Sequence, residues 1–468
     1  MLKYNKKITA LNTLIIFTRY PEPGKVKTRL IPSLGRFGAA RLQREMTRHI
    51  LAVAVSHPDK VKVELHYDGG DEAVMRALYG NDLSMRPQTG NGLGERMSQA
   101  FQSAFANGAL RVALTGSDCP FITDAIISEA FEQLNSHDCV LGPAEDGGYY
   151  LIGLVKPAEV LFEPLPWGTD SVLKETLERA EKAGINYTLL KMLPDIDRPE
   201  DICLWKEVVH EAKPRIAAII PACNEEASIV ATLGRLKDGT NIDCIVVDGG
   251  STDNTAGLAA GQGAVVVLSG AGRALQMNKG ASMTSAGILL FLHADTFVPS
   301  GFDAAIRNAL ADPAVVAGAF SLEFDSGRAG LKAVAFGANL RSRFLKLPYG
   351  DQGLFMWASD FHSAGCFPDI PIMEDIVFVR AIKKYGRIVT LPQKVTTSAR
   401  RYSQMGILRT WIINQLAIFN FALGSKPEEL CALYRSQSGI RKWVKHTWNL
   451  IKKKCFLSNI PVNYENNK

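Results

Sequence analysis

The 468-residue chain has no CxxC pair and no Cys/His spacing of the kind that holds structural zinc. Its eight cysteines lie far apart, mostly in apolar runs, so a reduced, cytoplasmic compartment is expected. No apolar run reaches the roughly 20 residues that a spanning helix needs. The nearest, Trp411 to Leu423, is broken by Asn414, Gln415 and Asn420. The basic opening, MLKYNKKITA, runs into the strand-like LNTLIIF without a small-residue cleavage site, which speaks against a signal peptide. Acidic residues are missing between Cys431 and Ile460, where seven Lys or Arg fall. The formal charge of the whole chain is +6, so the remainder is close to neutral. The basic character belongs to a C-terminal appendage, which excludes an extended nucleic-acid-binding face.

What is present is 47% hydrophobic and 21% charged residues, enough to bury ordinary cores. The length predicts two or three domains. Two short apolar strands, Thr13–Thr18 (TLIIFT) and Ile216–Pro221 (IAAIIP), each enter a polar loop and then a helical pattern. Buried strands alternating with amphipathic helices predict α/β domains with mostly parallel sheets. A helix over about Pro199–His210 and the pair Lys213–Pro214 place the boundary near residue 213. A faint repeat supports the division. RVALTGSDCPFITDAIISEAFEQL from Arg111 and GILLFLHADTFVPSGFDAAIRNAL from Gly287 both run from strand to Asp (Asp118, Asp295) to helix. Ligands of open α/β sheets bind at the carboxyl ends of strands, which is where both aspartates fall.

In the second half the order is IPACNEE with Asn224 and Glu225, then CIVVDGGSTDNT with Asp248. GRALQMNKGA with Arg273 and Asn278 follows, then LLFLHADT with His293 and Asp295, YGDQG, MEDIVF with Glu374 and Asp375, and SARRYSQMG with Arg400 and Arg401. Singly each is weak; an Asp after a strand is more often a turn or cap residue. The ordered set, from Pro214 to about Gly424, resembles a family 2 glycosyltransferase of GT-A fold, and its wording is similar to the subgroup named for arsenosugar biosynthesis. The resemblance implies a nucleotide-sugar donor (a UDP-sugar first), a divalent metal (Mn or Mg) and an inverting displacement. It implies that Asp375 is the general base and that Arg401 steadies the departing diphosphate. Asn224, Glu225, Asp248, Arg273 and Asn278 would line the donor site, and Asp295 with His293 would hold the metal. The sequence departs from the family pattern at Gly249, which replaces a second acid, at His293, which replaces the first acid of Asp-x-Asp, and at Tyr402, which replaces a Trp.

In the first half FTRYPEPGKVKTRLIPSLG follows the opening strand, so that Lys25, Lys27 and Arg29 sit behind Pro23-Gly24. A glycine turn with a basic cluster can cradle phosphates, but the Walker pattern is absent. TGSDCP (Asp118), GPAEDGGYYLIGL (Asp146), PWGTD and DID (Asp195, Asp197) follow. Residues 13 to 210 resemble the nucleotidyltransferase-like family (DUF2064 type) that shares the arsenosugar-biosynthesis name. The resemblance implies that Lys25, Lys27, Arg29 and Asp146 meet a nucleotide phosphate and that Asp118 and Asp197 hold Mg²⁺.

The expected organisation is residues 1–213 as a nucleotidyltransferase-like, GT-A-like domain, 214–425 as the family 2 glycosyltransferase domain, and 426–468 as a basic helical tail. The expected partners are a small nucleotide sugar and an acceptor that the sequence leaves open. A second reading puts the acceptor in a membrane, a carotenoid or polyprenol lipid. There, WIINQLAIFNFALG and the basic tail would make peripheral contact with an anionic inner face. A third is a nucleotide-binding scaffold without turnover.

Overall fold

The structure, a computed structural model, describes residues 12–55, 61–436 and 439–458, with side chains to residue 452. The basic opening segment and the Lys453 and Lys454 side chains lie outside the described residues. Contacts divide the chain into two compact units, Met1–Glu211 and Ala212–Lys468.

The first unit is built on seven strands: β1 (Asn12–Arg19), β2 (Val61–Asp68), β3 (Ser84–Pro87), β4 (Arg111–Gly116), β5 (Cys139–Pro143), β6 (Tyr149–Leu154) and β7 (Tyr187–Leu189). They lie in the order β3-β2-β1-β4-β6-β5-β7. All neighbours are parallel except at β6, which runs against β4 and β5. The second unit has β8 (Ile216–Ala222), β9 (Ile242–Asp248), β10 (Val265–Leu268), β11 (Ile288–Phe291), β12 (Thr296–Phe297), β13 (Val315–Phe324), β14 (Leu354–Trp357) and β15 (Arg387–Thr397). Their order is β10-β9-β8-β11-β14-β13-β15-β12. With β12 set aside, the two sheets have the same strand order, and in both the strand next to the fourth is reversed. Both are therefore mixed sheets, mostly parallel.

The central strands read as unbroken apolar runs because both of their faces are covered. Along β8, Ile216, Ala218 and Ile220 enter one cluster while Ala217 and Ile219 enter the other. Leu14 and Ile16 part from Ile15 and Phe17 in β1 the same way. The helix expected over Pro199–His210 is a 3₁₀ turn, Pro199–Asp201, continued by the α-helix Ile202–Ala212.

The expected C-terminal helical tail is present as the helices Pro427–Arg435 and Ile440–Ser458, and it packs on the second unit. Leu430 and Trp443, both fully buried, pack with Ile413 and Ala417 of the helix Ile407–Ala422 and with Met373 and Ile376 beside the site. Apolar residues interleaved with the lysines carry that packing. A charge count does not reveal it. No helix among the described residues is long and apolar enough to cross a membrane.

Where β13 meets β14, Gly318 lies opposite Phe355, and a Cβ on Gly318 would stand 2.3 Å from the buried Phe355 ring. Gly318→Ala is expected to destabilise the second unit by about 1–3 kcal/mol through overpacking. Urea unfolding followed by tryptophan fluorescence reads it, and an unmoved midpoint would show that the ring relaxes at no cost.

Candidate active site

The loops after β8 and β9 are held together by side chains that satisfy each other's backbone. Asn224 takes a left-handed conformation (φ 56°), which Asn tolerates better than most residues. Its N–H donates to Ser251 Oγ at 2.9 Å, and its Oδ1 accepts from Thr252 N–H at 2.8 Å. Glu225 N–H donates to Thr255 Oγ1, Glu226 N–H to Asp253, and Asn254 N–H to Glu226. Asp248, almost wholly buried, accepts from the N–H groups of Gly250 and Ser251 and from the Ser251 hydroxyl. Gly249 has no room for a second acid: a Cβ there would stand 2.7 Å from Gln276 Nε2, which donates to the Ala222 and Val247 carbonyls.

Around this cradle the structure gathers charged groups from five segments. Both Glu225 carboxylate oxygens accept from Arg400 Nη2 (2.9 and 3.0 Å), and the same guanidinium lies 3.9 Å from Asp295. Burial, then the Glu225 charge, raises the Asp295 carboxyl, with Arg400 and Arg273 opposing. Arg273, at the start of the helix Arg273–Ser282, reaches Glu374 at 3.4 Å. Burial raises Glu374 despite Arg273. Asp375, in the first turn of the helix Glu374–Ile382, accepts from Gly350 N–H at 2.7 Å and from its own Ile376 N–H. A Cβ on Gly350 would lie 3.2 Å from His293 Nε2 and 3.4 Å from Asp375 Oδ2, so the imidazole and the carboxylate flank one glycine. Burial, with Arg273 adding to it, pushes His293 down to about 3; the ring is neutral, and its Nε2 is buried without a hydrogen-bond partner.

The sequence reading missed Asp351. One of its oxygens is buried without a partner, burial raises its carboxyl, and it feels Arg341, Asp375 and Arg273. The YGDQG motif that carries it was legible, but not its role, because the contacts come from segments distant in sequence. Arg400 was missed likewise.

Several expected residues serve elsewhere. Arg401 lies over the Tyr434 ring, 3.9 Å from its centre, where the packed C-terminal helices draw it; its neighbour Arg400 is the one beside Asp295. Both polar atoms of the Asn278 amide are spent on the Phe367 backbone, at 2.8 and 3.0 Å, so it fastens a helix to a loop rather than facing a ligand. In the first unit Lys27 is enclosed by acids and a carbonyl. Its side chain is 3% exposed and its ammonium lies 3.0 Å from Asp118, 3.7 Å from Asp197 and 2.5 Å from the Ile196 carbonyl. Arg29 pairs with Asp197 from the solvent side, Lys25 is exposed beside Glu22 at 2.9 Å, and Asp146 accepts from Gly148 N–H at 2.8 Å in its own turn. Among the described residues, no three His, Cys, Asp or Glu gather as a metal cage.

Residues 217–362 match the family described as glycosyl transferase family 2, and residues 51–169 the family described as uncharacterized protein conserved in bacteria (DUF2064). The chain is a fusion of a DUF2064 domain and a family 2 glycosyltransferase domain. No curated protein matches it. Among solved structures it is similar to a Desulfovibrio desulfuricans G20 protein described as a nucleotide-diphospho-sugar transferase. That match has 34% identity over 41% of this chain and 84% of the other, with a TM-score of 0.39. S. aureus TarS matches at 15% identity over 42% of this chain and 39% of its own, with a TM-score of 0.34. Glucosyl-3-phosphoglycerate synthase of Mycobacterium tuberculosis, solved with Mn²⁺, UDP and glucosyl-3-phosphoglycerate, matches at 20% over 41% of this chain and 74% of its own, with a TM-score of 0.30.

In the DUF2064 domain, burial and the Asp146 charge raise Asp195 to about 6, with Lys27 opposing. An acid whose folded pKa lies above its unfolded value of roughly 3.9 binds protons more tightly when folded, so stability falls as pH rises between the two. Asp195→Asn removes that fall. Its melting temperature is expected to gain on the parent's from about pH 4 to pH 6 and to hold the gain above. Parallel melting curves across that range would show that Asp195 titrates as an ordinary surface acid.

Proposed function

We propose that the glycosyltransferase domain moves a sugar from a nucleoside diphosphate, UDP first, to an acceptor hydroxyl with inversion. The observation that carries this reading is Asp375. It is a carboxylate oriented by two backbone N–H groups, in the charged cluster that also holds Arg273, Asp295 and Arg400. A carboxylate that takes the acceptor proton as the hydroxyl attacks suits direct displacement from the face opposite the leaving group. Such a base contributes about 10²–10⁴-fold. Arg273 and Arg400, both about half exposed, supply positive charge where the diphosphate leaves. The Asn224–Asp248 cradle carries the nucleoside.

A divalent cation, Mn²⁺ or Mg²⁺, fits this cleft as one that arrives with the diphosphate. Asp295 is a partly buried carboxylate, and His293 is a neutral imidazole with an unused nitrogen. One or two protein donors suffice for ions of this kind, which take the rest of their ligands from phosphate and water. When bound it would add positive charge at the leaving group. In the DUF2064 domain the donor set argues against a resident cation at Asp118 and Asp197, because the Lys27 ammonium already lies between them. For that domain we propose nucleotide or nucleotide-sugar binding through the exposed Arg29 and Lys25.

The second reading, a lipid acceptor reached by peripheral contact with an anionic membrane, is favoured by one observation. The helix Ile440–Ser458 exposes Val444 and Trp448 among Arg441, Lys442, Lys445 and Lys452. The helix Ile407–Ala422, expected to lie in such an interface, instead buries Ile413 and Ala417 in the protein core and turns Leu408, Trp411 and Phe419 outward.

Asp375→Asn is expected to leave donor affinity unchanged in calorimetry and to lower transfer by about 10²–10⁴-fold. Transfer at the native rate would move the base to Glu374 or Asp351. The two adjacent arginines separate as well. Arg400→Ala should cost transfer about 10²–10³-fold, whereas Arg401→Ala should mainly lower the melting temperature by removing a cation–π contact of about 0.5–2 kcal/mol. The reverse pattern in side-by-side turnover and melting assays would restore Arg401 to the diphosphate.

A further inference from the structure

The helix Ala329–Leu345 presents an apolar face that no described residue covers. Phe336, Leu340 and Phe344 recur every four residues, one above another on the helix, and are 69%, 47% and 75% exposed, with Leu345 beside them at 57%. The opposite face is fixed to the sheet. Leu331 and Ala335 are buried, and the Asn339 amide donates to and accepts from the Leu322 backbone. Ser342 and Thr390 share a hydrogen bond of 2.8 Å. Those polar contacts prevent the helix from rolling its phenylalanines inward.

The segment that carries this face has charge of one sign, with Arg341 turned from the face toward Tyr349. From Ser326 to Gly350 there is no acid, while Arg328, Lys332, Arg341, Arg343 and Lys346 are basic. Lys383 joins them by donating to the Leu345 carbonyl at the helix end. Aromatic side chains flanked by cations suit the boundary of an anionic bilayer, where rings enter the acyl region and cations meet phosphates.

The end of this helix is also tied to the active site. Arg341 stacks 3.4 Å above the centre of the Tyr349 ring and donates to the Leu347 carbonyl and to Gln352. The next residue after Tyr349 is Gly350, whose N–H holds Asp375. We propose that Phe336, Leu340 and Phe344 dock the glycosyltransferase domain on an anionic lipid surface, with the Asp375 side of the cleft turned toward the bilayer. This inference rests on the membrane reading above and moves its main contact from the basic C-terminal helix to the helix Ala329–Leu345.

The test uses the full chain sedimented with vesicles of phosphatidylcholine alone or mixed with phosphatidylglycerol. The expected result is binding to the mixed vesicles only, lost about tenfold in Phe336→Ser with Phe344→Ser. The companion variant Arg441→Gln with Lys445→Gln should lose less. Both serine sites are exposed, and unchanged UDP-dependent thermal stabilisation of the variant shows that it is folded. Native binding by the serine variant would overturn the proposal while leaving the basic C-terminal helix as the membrane contact. Equal binding to both vesicles would also overturn it, because the cations would then have no part. A variant that turns a dimer into a monomer without changing vesicle binding would assign this face to a second copy of the chain. Absence of all vesicle binding would overturn it together with the membrane reading, and turnover of a UDP-sugar would still test the glycosyltransferase reading separately.

Discussion

Where parallel strands end, their backbone N–H groups and those of the following turns must find partners, and at the end of β8 and β9 the partners are short side chains. Asn224, Ser251, Asp253 and Thr255 each bond the backbone of the neighbouring loop or of their own turn. The two loops thereby hold one shape before any ligand arrives. The rest of the site depends on this. Glu225 is placed by its loop to receive Arg400, and Arg400 is thereby brought to Asp295. Pre-arranged groups of this kind avoid reorganisation at the moment of reaction, which is where electrostatic catalysis gains most.

The cleft combines an excess of acids with few cations. Asp295, Asp351 and Glu374 are all raised by burial, and Arg273 opposes the rise at each. One guanidinium is thus shared among several carboxyls. A bound diphosphate would bring negative charge into the same space, so a cation that comes with it would relieve both the ligand and the protein. The DUF2064 domain solves the same problem from within, by placing the Lys27 ammonium between Asp118 and Asp197.

Much of the architecture was legible because it rests on period and punctuation. The runs TLIIFT and IAAIIP announced two-sided burial, and the Asp residues ending RVALTGSD and LLFLHAD marked the carboxyl ends of β4 and β11. What the sequence could not disclose were pairings between distant segments. Nothing near SARRY says which arginine meets Glu225 and Asp295; Tyr434 takes Arg401 by stacking, and Arg400 makes the acid contacts. The buried, unpartnered oxygen of Asp351 follows from the close packing of Arg341, Tyr349 and Gly350, and the neutral His293 from its burial beside Gly350. The C-terminal helices hid their packing behind a run of lysines, because Leu430 and Trp443 are widely spaced among polar residues.

The two sheets repeat one strand order within a single chain. During folding, each central strand therefore meets, a couple of hundred residues away, another apolar strand that occupies the equivalent slot. Mispairing between such equivalents is a hazard of tandem units, and it is greatest when both are unfolded at once. Synthesis on the ribosome removes the competition, since the first sheet can close before β8 has emerged. The repeated strand order thus makes the order of emergence part of how the chain reaches its native state.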